Sequence, residues 1–210
     1  MTAEKLLAIA RAELGTAESP AGSNRTKYGA WYGLDGQPWC MIFVQWCFAQ
    51  AGASALLPVK TASCGALTRA AQKAGQWVTG GYQPGDVVIY DFPGGAATDH
   101  CGIVESVSGG SVTAIEGNTS EAGSQSNGGQ VCRKTRALSL VVGAFRARFW
   151  TAHAADNLPA PAHREGVEWA VAGGILTGNG QGDLLLSQPV TRQQLCTMLL
   201  RYEQMRGRQQ

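Results

Sequence analysis

The chain opens on a helical pattern. Leu6, Leu7, Ala10 and Leu14 recur at helical spacing, with Glu4, Lys5, Arg11 and Glu13 between them and Gly15 behind, which predicts an amphipathic helix closed by the glycine. Residues 16–38 sustain no period. They mix Pro, Gly, Ser and Asn with Tyr28, Trp31 and Tyr32 and are expected to form a long loop, a feature that usually serves a function. Helical signals resume at 40–51, where Phe43, Trp46, Cys47, Gln50 and Ala51 mark a mostly apolar face and Gly52 follows as a stop. A third helix is expected over 64–74, capped by Ser63 and ended by Gly75.

From Trp77 the pattern changes to short β-rich runs at 86–92, 100–107, 111–117, 130–135 and 141–147, most of them separated by Gly-rich turns. Helices followed by a meandering antiparallel sheet define an α+β domain over residues 1–150. Residues 151–163 are rich in Ala and Pro without an apolar period and read as a linker. A small two-helix domain is expected over 164–210. Its first helix ends at Gly173 or Gly174, and its second is capped at Thr191 behind Pro189.

A length of 210 residues suits this division into a principal domain and a short appendage. The net charge is +2 with Lys and Arg dispersed, apart from a modest tail cluster (Arg201, Arg206, Arg208), so no footprint for nucleic acid is present. A secretory signal would need about 7 to 15 consecutive apolar residues and a membrane span about 18. The sequence has neither, so no membrane partner is expected and synthesis in a cytoplasm is. Six cysteines, at 40, 47, 64, 101, 132 and 196, lack paired close spacings and sit mostly in apolar segments. They read as reduced, buried thiols rather than a disulfide framework.

Cys40 is the candidate nucleophile. It falls at the junction of the long loop and an apolar helix, where the positive end of the helix and its unpaired N–H groups lower a thiol pKa from about 8.5 toward the reactive range. The same N–H groups can receive a developing oxyanion. A thiolate mechanism also needs a proton carrier, and imidazole serves near neutral pH. His153 and His163 flank the linker, which leaves His100, at the start of a strand.

The runs at 100–107 and 111–118 should form a hairpin about Ser108, Gly109 and Gly110, a three-residue loop that pairs Val107 with Ser111. Counting outward, His100 falls opposite Asn118 and Gly102 opposite Glu116, and alternation places His100, Glu116 and Asn118 on one face. A two-residue loop would put His100 on the other face from Glu116 and Asn118. Either polar residue could orient the imidazole, the third role in a triad. Parity sends Cys101 to the opposite face, as core.

The run SNRTKYGAWYGLDGQPWCMIFVQWCFAQAG, the DHCGIVESV strand and the AIEGNTS strand end resemble the CHAP family of cysteine, histidine-dependent amidohydrolases and peptidases, over roughly residues 1–150. The resemblance implies a papain-like α+β fold and hydrolysis of peptidoglycan amide bonds, by an N-acetylmuramoyl-L-alanine amidase first and a stem-peptide or cross-bridge endopeptidase second. It makes Cys40 the nucleophile, His100 the general base and acid, Glu116 the orienting residue and Asn118 an auxiliary. Tyr28 and Trp39 are the candidate substrate-binding residues.

Some relatives hold calcium in an Asp-rich loop, but here that loop has only Asp35 where about six or more oxygen donors are wanted. Without CxxC or HxxxH spacing no zinc site is expected either, so neither metal nor cofactor is. Residues 164–206 resemble the later part of an S-layer-homology unit, without its Phe-x-Asp opening, for which only Asp156 is near. That resemblance implies binding to a secondary cell-wall polymer, with Arg192 as an anion contact at a helix start and Trp169 as a second candidate contact. A wall hydrolase lacking a leader is expected to be a phage or prophage endolysin, held in the host bacterial cytoplasm until release to the wall. A non-catalytic wall-binding module is the alternative from another class.

Overall fold

A computed structural model describes residues 2–93, 98, 100–122, 124, 127–149, 157–179 and 183–207. His153, Asp156, Arg208 and the first part of the expected linker lie outside them. The chain divides into two compact units, Met1–Thr151 and Ala152–Gln210.

In the first unit four helices precede the sheet: α1 (Ala3–Ala12), α2 (Lys27–Tyr32), α3 (Cys40–Gln50) and α4 (Cys64–Lys73). Thr2 caps α1 by accepting from the Lys5 N–H, and Ser63 caps α4 by accepting from the Ala66 N–H. These caps satisfy N–H groups that have no partner inside the helix. The expected long loop contains α2, which sequence periodicity misses because six residues are too short to show a period. Thr26 caps it, and Gly33, at a φ of 86°, ends it in the left-handed region that glycine tolerates.

Helix α3 departs from expectation. The spacing predicts a mostly apolar face, yet Cys40 through Gln45, Cys47 and Phe48 are all buried. A helix apolar on all sides belongs in the middle of a domain, and α3 shares its core with Leu6, Leu7 and Ala10 of α1, Leu67 and Ala71 of α4, and one face of the sheet.

The sheet has six antiparallel strands: β1 (Trp77–Val78), β2 (Val87–Tyr90), β3 (His100–Ser108), β4 (Ser111–Thr119), β5 (Gln130–Ala137) and β6 (Val141–Phe145), in the order β1-β6-β2-β3-β4-β5. Strand β1 has too few residues for an alternating pattern and was not foreseen. Val87, Ile89, Cys101, Ile103, Ile115 and Phe145 face the helices, whereas Val88, Tyr90, Val104, Val112, Ala114 and Ala144 form a second core on the other face.

The β3–β4 hairpin reaches its register differently from the sequence reading. Ser108 pairs with Ser111, so the loop is the two residues Gly109 and Gly110, with φ of 58° and 77°. Positive φ at both is what a type I′ turn requires. Taken alone, that turn would separate His100 from Glu116. A bulge between Val104 and Ser106 accommodates Glu105 as an extra residue. Beyond it Val104 pairs with Ala114 and Ile103 with Ile115, which is the register first inferred, reached by two compensating irregularities. Glu105 accepts from Arg11 Nε at 2.6 Å and from Arg133 Nε at 2.6 Å, tying α1 and β5 to the bulge.

The second unit contains α5 (Arg164–Ala172) and α6 (Arg192–Gly207). Thr191 Oγ1 accepts from the Gln194 N–H while Gln194 Oε1 accepts from the Thr191 N–H, a capping box at the start of α6. Trp169 meets Tyr202 edge to face at 6.0 Å between ring centroids. Among the described residues, no helix is long and apolar enough to cross a membrane.

Candidate active site

Cys40 is the first residue of α3, behind Trp39 at the cap position. His100 is the first residue of β3 and Glu116 sits toward the end of β4. The sheet brings these last two together: His100 Nε2 lies 3.0 Å from Glu116 Oε2, both side chains fully buried. Gly102 makes room for this contact, since a Cβ there would come within 2.6 Å of Glu116 Cγ. With Nε2 engaged by Glu116, the ring's second nitrogen, Nδ1, is buried and is the one left to interact with Cys40. The His100 ring also stacks on Tyr90, with centroids 6.1 Å apart.

Arg136 completes the buried polar chain, and the sequence reading missed it. From β5 its Nε donates to Glu116 Oε1 at 2.8 Å and its Nη2 to Oε2 at 2.6 Å. Its guanidinium also covers the rings of Tyr90 and Phe92 at 5.3 and 4.8 Å. The strand was expected to stop at 135. Carried one residue further, the alternation Cys132, Lys134, Arg136 would have put this cation on the Glu116 face.

Charge decides the protonation pattern. Burial alone would push the Glu116 carboxyl up, but hydrogen bonds from His100 and Arg136 hold it below the usual carboxylate value. Burial likewise favours neutral imidazole, yet the hydrogen-bonding and charge of Cys40 and Glu116 outweigh it and push His100 up to about 9. Cys40 lies far below the ordinary thiol value. Hydrogen bonds from Cys101 and then Cys64 lower it most, His100 adds to the effect, and burial opposes them. The favoured state is a Cys40 thiolate beside a His100 imidazolium. That is the activated form of a cysteine nucleophile.

Cys101 therefore has a place that parity alone could not supply. It does face away from His100 and is buried, but the face it enters is packed against the helices. There the sulfur atoms of Cys40, Cys64 and Cys101 lie within 4.8 Å of one another.

Other candidate residues fall elsewhere. Tyr28 and Trp39, expected to contact substrate, are fully buried. Their rings stack at 5.4 Å, and their polar ends are satisfied internally, Tyr28 by Glu13 at 2.5 Å and Trp39 by Glu18 at 3.0 Å. They belong to the core that also holds Cys40 and present no surface to a substrate. Asn118 is buried at a φ of 58°, and β4 and β5 shift register between Glu116 and Thr119. Strict alternation thus fails there, and its Nδ2 donates to Asn127 Oδ1 at 3.4 Å. In the second unit Arg192 is exposed at the first position of α6. A cavity of about 450 Å³ in that unit is lined by Thr177, Gln194 and Arg201 among others, and not by Arg192 or Trp169.

A thiol at a helix start, a buried imidazole on a facing strand and a carboxylate behind it are the parts of a cysteine-dependent amidohydrolase or peptidase. Residues 31–118 match the family model for the CHAP domain, and Cys40, His100 and Glu116 all lie within the matched segment. The comparison with curated proteins finds no match. Among solved structures, the chain is similar to the crystal structure of Ly7917, with 19% identity and a TM-score of 0.43. It is also similar to the crystal structure of Ly7917 with the hydrolyzing product of MDP, with 19% identity and a TM-score of 0.42. In both cases 70% of this chain is covered, and the match spans 63% of the other chain's length.

Proposed function

We propose that this chain hydrolyses amide bonds of bacterial peptidoglycan, with Cys40 as nucleophile, His100 as general acid and base and Glu116 as the residue that positions His100. The observation that carries the reading is the buried Cys40, His100, Glu116 arrangement inside the CHAP match. The Cys40 thiolate attacks the amide carbonyl carbon, and the N–H groups at the start of α3 receive the oxyanion. The His100 imidazolium then gives its proton to the leaving nitrogen, the C–N bond breaks and a thioester remains. Neutral His100 takes a proton from water, whose oxygen attacks the thioester and restores the Cys40 thiolate and the imidazolium.

Within this reading the bond between muramic acid and L-alanine is the preferred target, and a stem-peptide or cross-bridge amide is the second. Mass spectrometry of fragments released from defined peptidoglycan tests both. New lactyl-muramic ends with free L-alanine amines support the amidase, and new termini within the peptides support the endopeptidase. Failure to release any fragment would refute the hydrolase. Wall-polymer binding by residues 164–210, through Arg192 and Trp169, and an endolysin setting with release from a host cytoplasm belong to the same proposal. The exposure of Arg192 and half-exposure of Trp169 support the first, and a neighbouring holin gene would support the second.

The pH profile follows from the ion pair. Activity needs Cys40 deprotonated and His100 protonated, so the rate falls on the alkaline side as His100 loses its proton near pH 9. Glu116→Gln removes the negative charge that holds this proton, so the alkaline limb of kcat/KM on a soluble muropeptide should move to lower pH. A limb that stays in place would show that Glu116 only supports the fold.

A further inference from the structure

Three thiols from separate parts of the chain meet at the candidate nucleophile. Cys40 opens α3, Cys64 opens α4, and Cys101 lies on the helix-facing side of β3. Their sulfur atoms all lie within 4.8 Å of one another. Sulfurs bound to one zinc ion at about 2.3 Å in tetrahedral geometry are about 3.8 Å apart, so small side-chain adjustments would suffice to enclose an ion. Cys101 is fully buried, whereas Cys40 and Cys64 each retain 6% exposure. An ion can enter from their side.

We infer that Cys40, Cys64 and Cys101 form a binding site for a thiophilic d¹⁰ cation such as Zn²⁺ or Cd²⁺, and that an ion held there occupies the sulfur otherwise used for attack. Soft thiolate donors in a dry setting select such ions over calcium or magnesium. The other two thiols do not ionise unaided. Cys64 is favoured by its bond with Cys101, but its bonding to Cys40 and its burial push it well above the usual thiol value; burial, followed by hydrogen bonding to Cys40 and Cys64, does the same to Cys101. A dication supplies the charge that makes them thiolates. The balance is one M²⁺ with the Cys40 thiolate and the Cys64 and Cys101 thiols, giving a metal tris-thiolate and releasing a proton from each of the latter two. The His100 imidazolium beside Cys40 offsets the resulting negative charge.

Binding itself does not depend on the hydrolase reading; only the mutual exclusion of metal and turnover does. The test is a Cd²⁺ titration of the reduced full-length chain, followed by thiolate-to-metal charge-transfer absorption, with X-ray absorption of the Zn²⁺-loaded wild type counting sulfur neighbours. One ion per chain with three sulfurs at about 2.3 Å is expected. Losing an outer partner of a metal ligand costs about 10–100-fold in affinity. Cys64→Ser and Cys101→Ser should each therefore weaken Cd²⁺ at least about a hundredfold, while Cys47→Ser and Cys196→Ser leave it unchanged. No stoichiometric binding, fewer than three sulfurs around zinc in the wild type, or unchanged affinity in Cys64→Ser and Cys101→Ser would overturn the site. If fragment release from peptidoglycan is also observed, it should stop in proportion to occupancy and return with EDTA. Activity that persists at full occupancy would overturn the exclusion. A chain with no hydrolytic activity would still report binding, so the two ideas fail separately.

Discussion

Replacing Cys40 with alanine is expected to lower hydrolysis of purified peptidoglycan by on the order of 10⁴-fold or more, which is the scale of removing a nucleophile from a catalytic unit. Attack and the covalent intermediate both depend on this one sulfur, because the neighbouring Cys64 and Cys101 thiols are pushed well above the usual thiol value and supply no thiolate in its place. The fold should tolerate the change. Cys40 and alanine are both small, and α3 keeps its contacts through Met41, Ile42, Phe43 and Val44. Turbidity loss of cell walls, with circular dichroism as the control for folding, distinguishes this from a binding module. Equal clearing by wild type and variant would show that the wall is not cut through Cys40.

Arg136→Leu should cost about 3–5 kcal/mol of stability in urea unfolding, the range for removing one partner of a buried ion pair. Glu116 is fully buried and its carboxylate is shared between Arg136 and His100. Without the guanidinium, a charge that cannot reach water keeps only one cationic neighbour. The penalty lies in the stranded carboxylate rather than in the intrinsic strength of the pair. The double variant Glu116→Gln Arg136→Leu is therefore expected to recover part of the loss. A single variant as stable as wild type would mean that Glu116 reaches solvent or takes up a proton at little cost.

Much of this site was legible in the order of residues along the chain. Cys40 announced itself by sitting where an irregular segment meets an apolar helix, and His100 by being the one histidine inside the sheet region. Strand pairing brought Glu116 and Asn118 to the face of His100 without choosing between them, and the family resemblance singled out Glu116. The hairpin register was inferred correctly at its functional end through an incorrect turn, because two adjacent glycines fit either a two-residue turn or a longer loop, and a bulge leaves no compositional trace. Arg136 was hidden among Arg133 and Lys134, which look equally solvated until pairing of Val112 with Arg136 fixes its face. Tyr28 and Trp39 were misplaced for a different reason. An aromatic with a polar edge beside a nucleophile suits either a substrate platform or a core, and the deciding groups, Glu13 and Glu18, are remote in sequence. The thiol cluster was invisible to spacing rules because its members are brought together only when two helix starts close over one strand.

The bulge at Glu105 separates the length of a strand from the geometry of what the strand carries. A chain lacking this residue could run a regular ladder from the glycine turn and still set Val104 against Ala114, so the imidazole would keep its carboxylate. The hairpin contains one spare link, given over to anchoring through Arg11 and Arg133. Insertions and deletions at that link would be silent at the reacting atoms and felt in how firmly the first helix is moored.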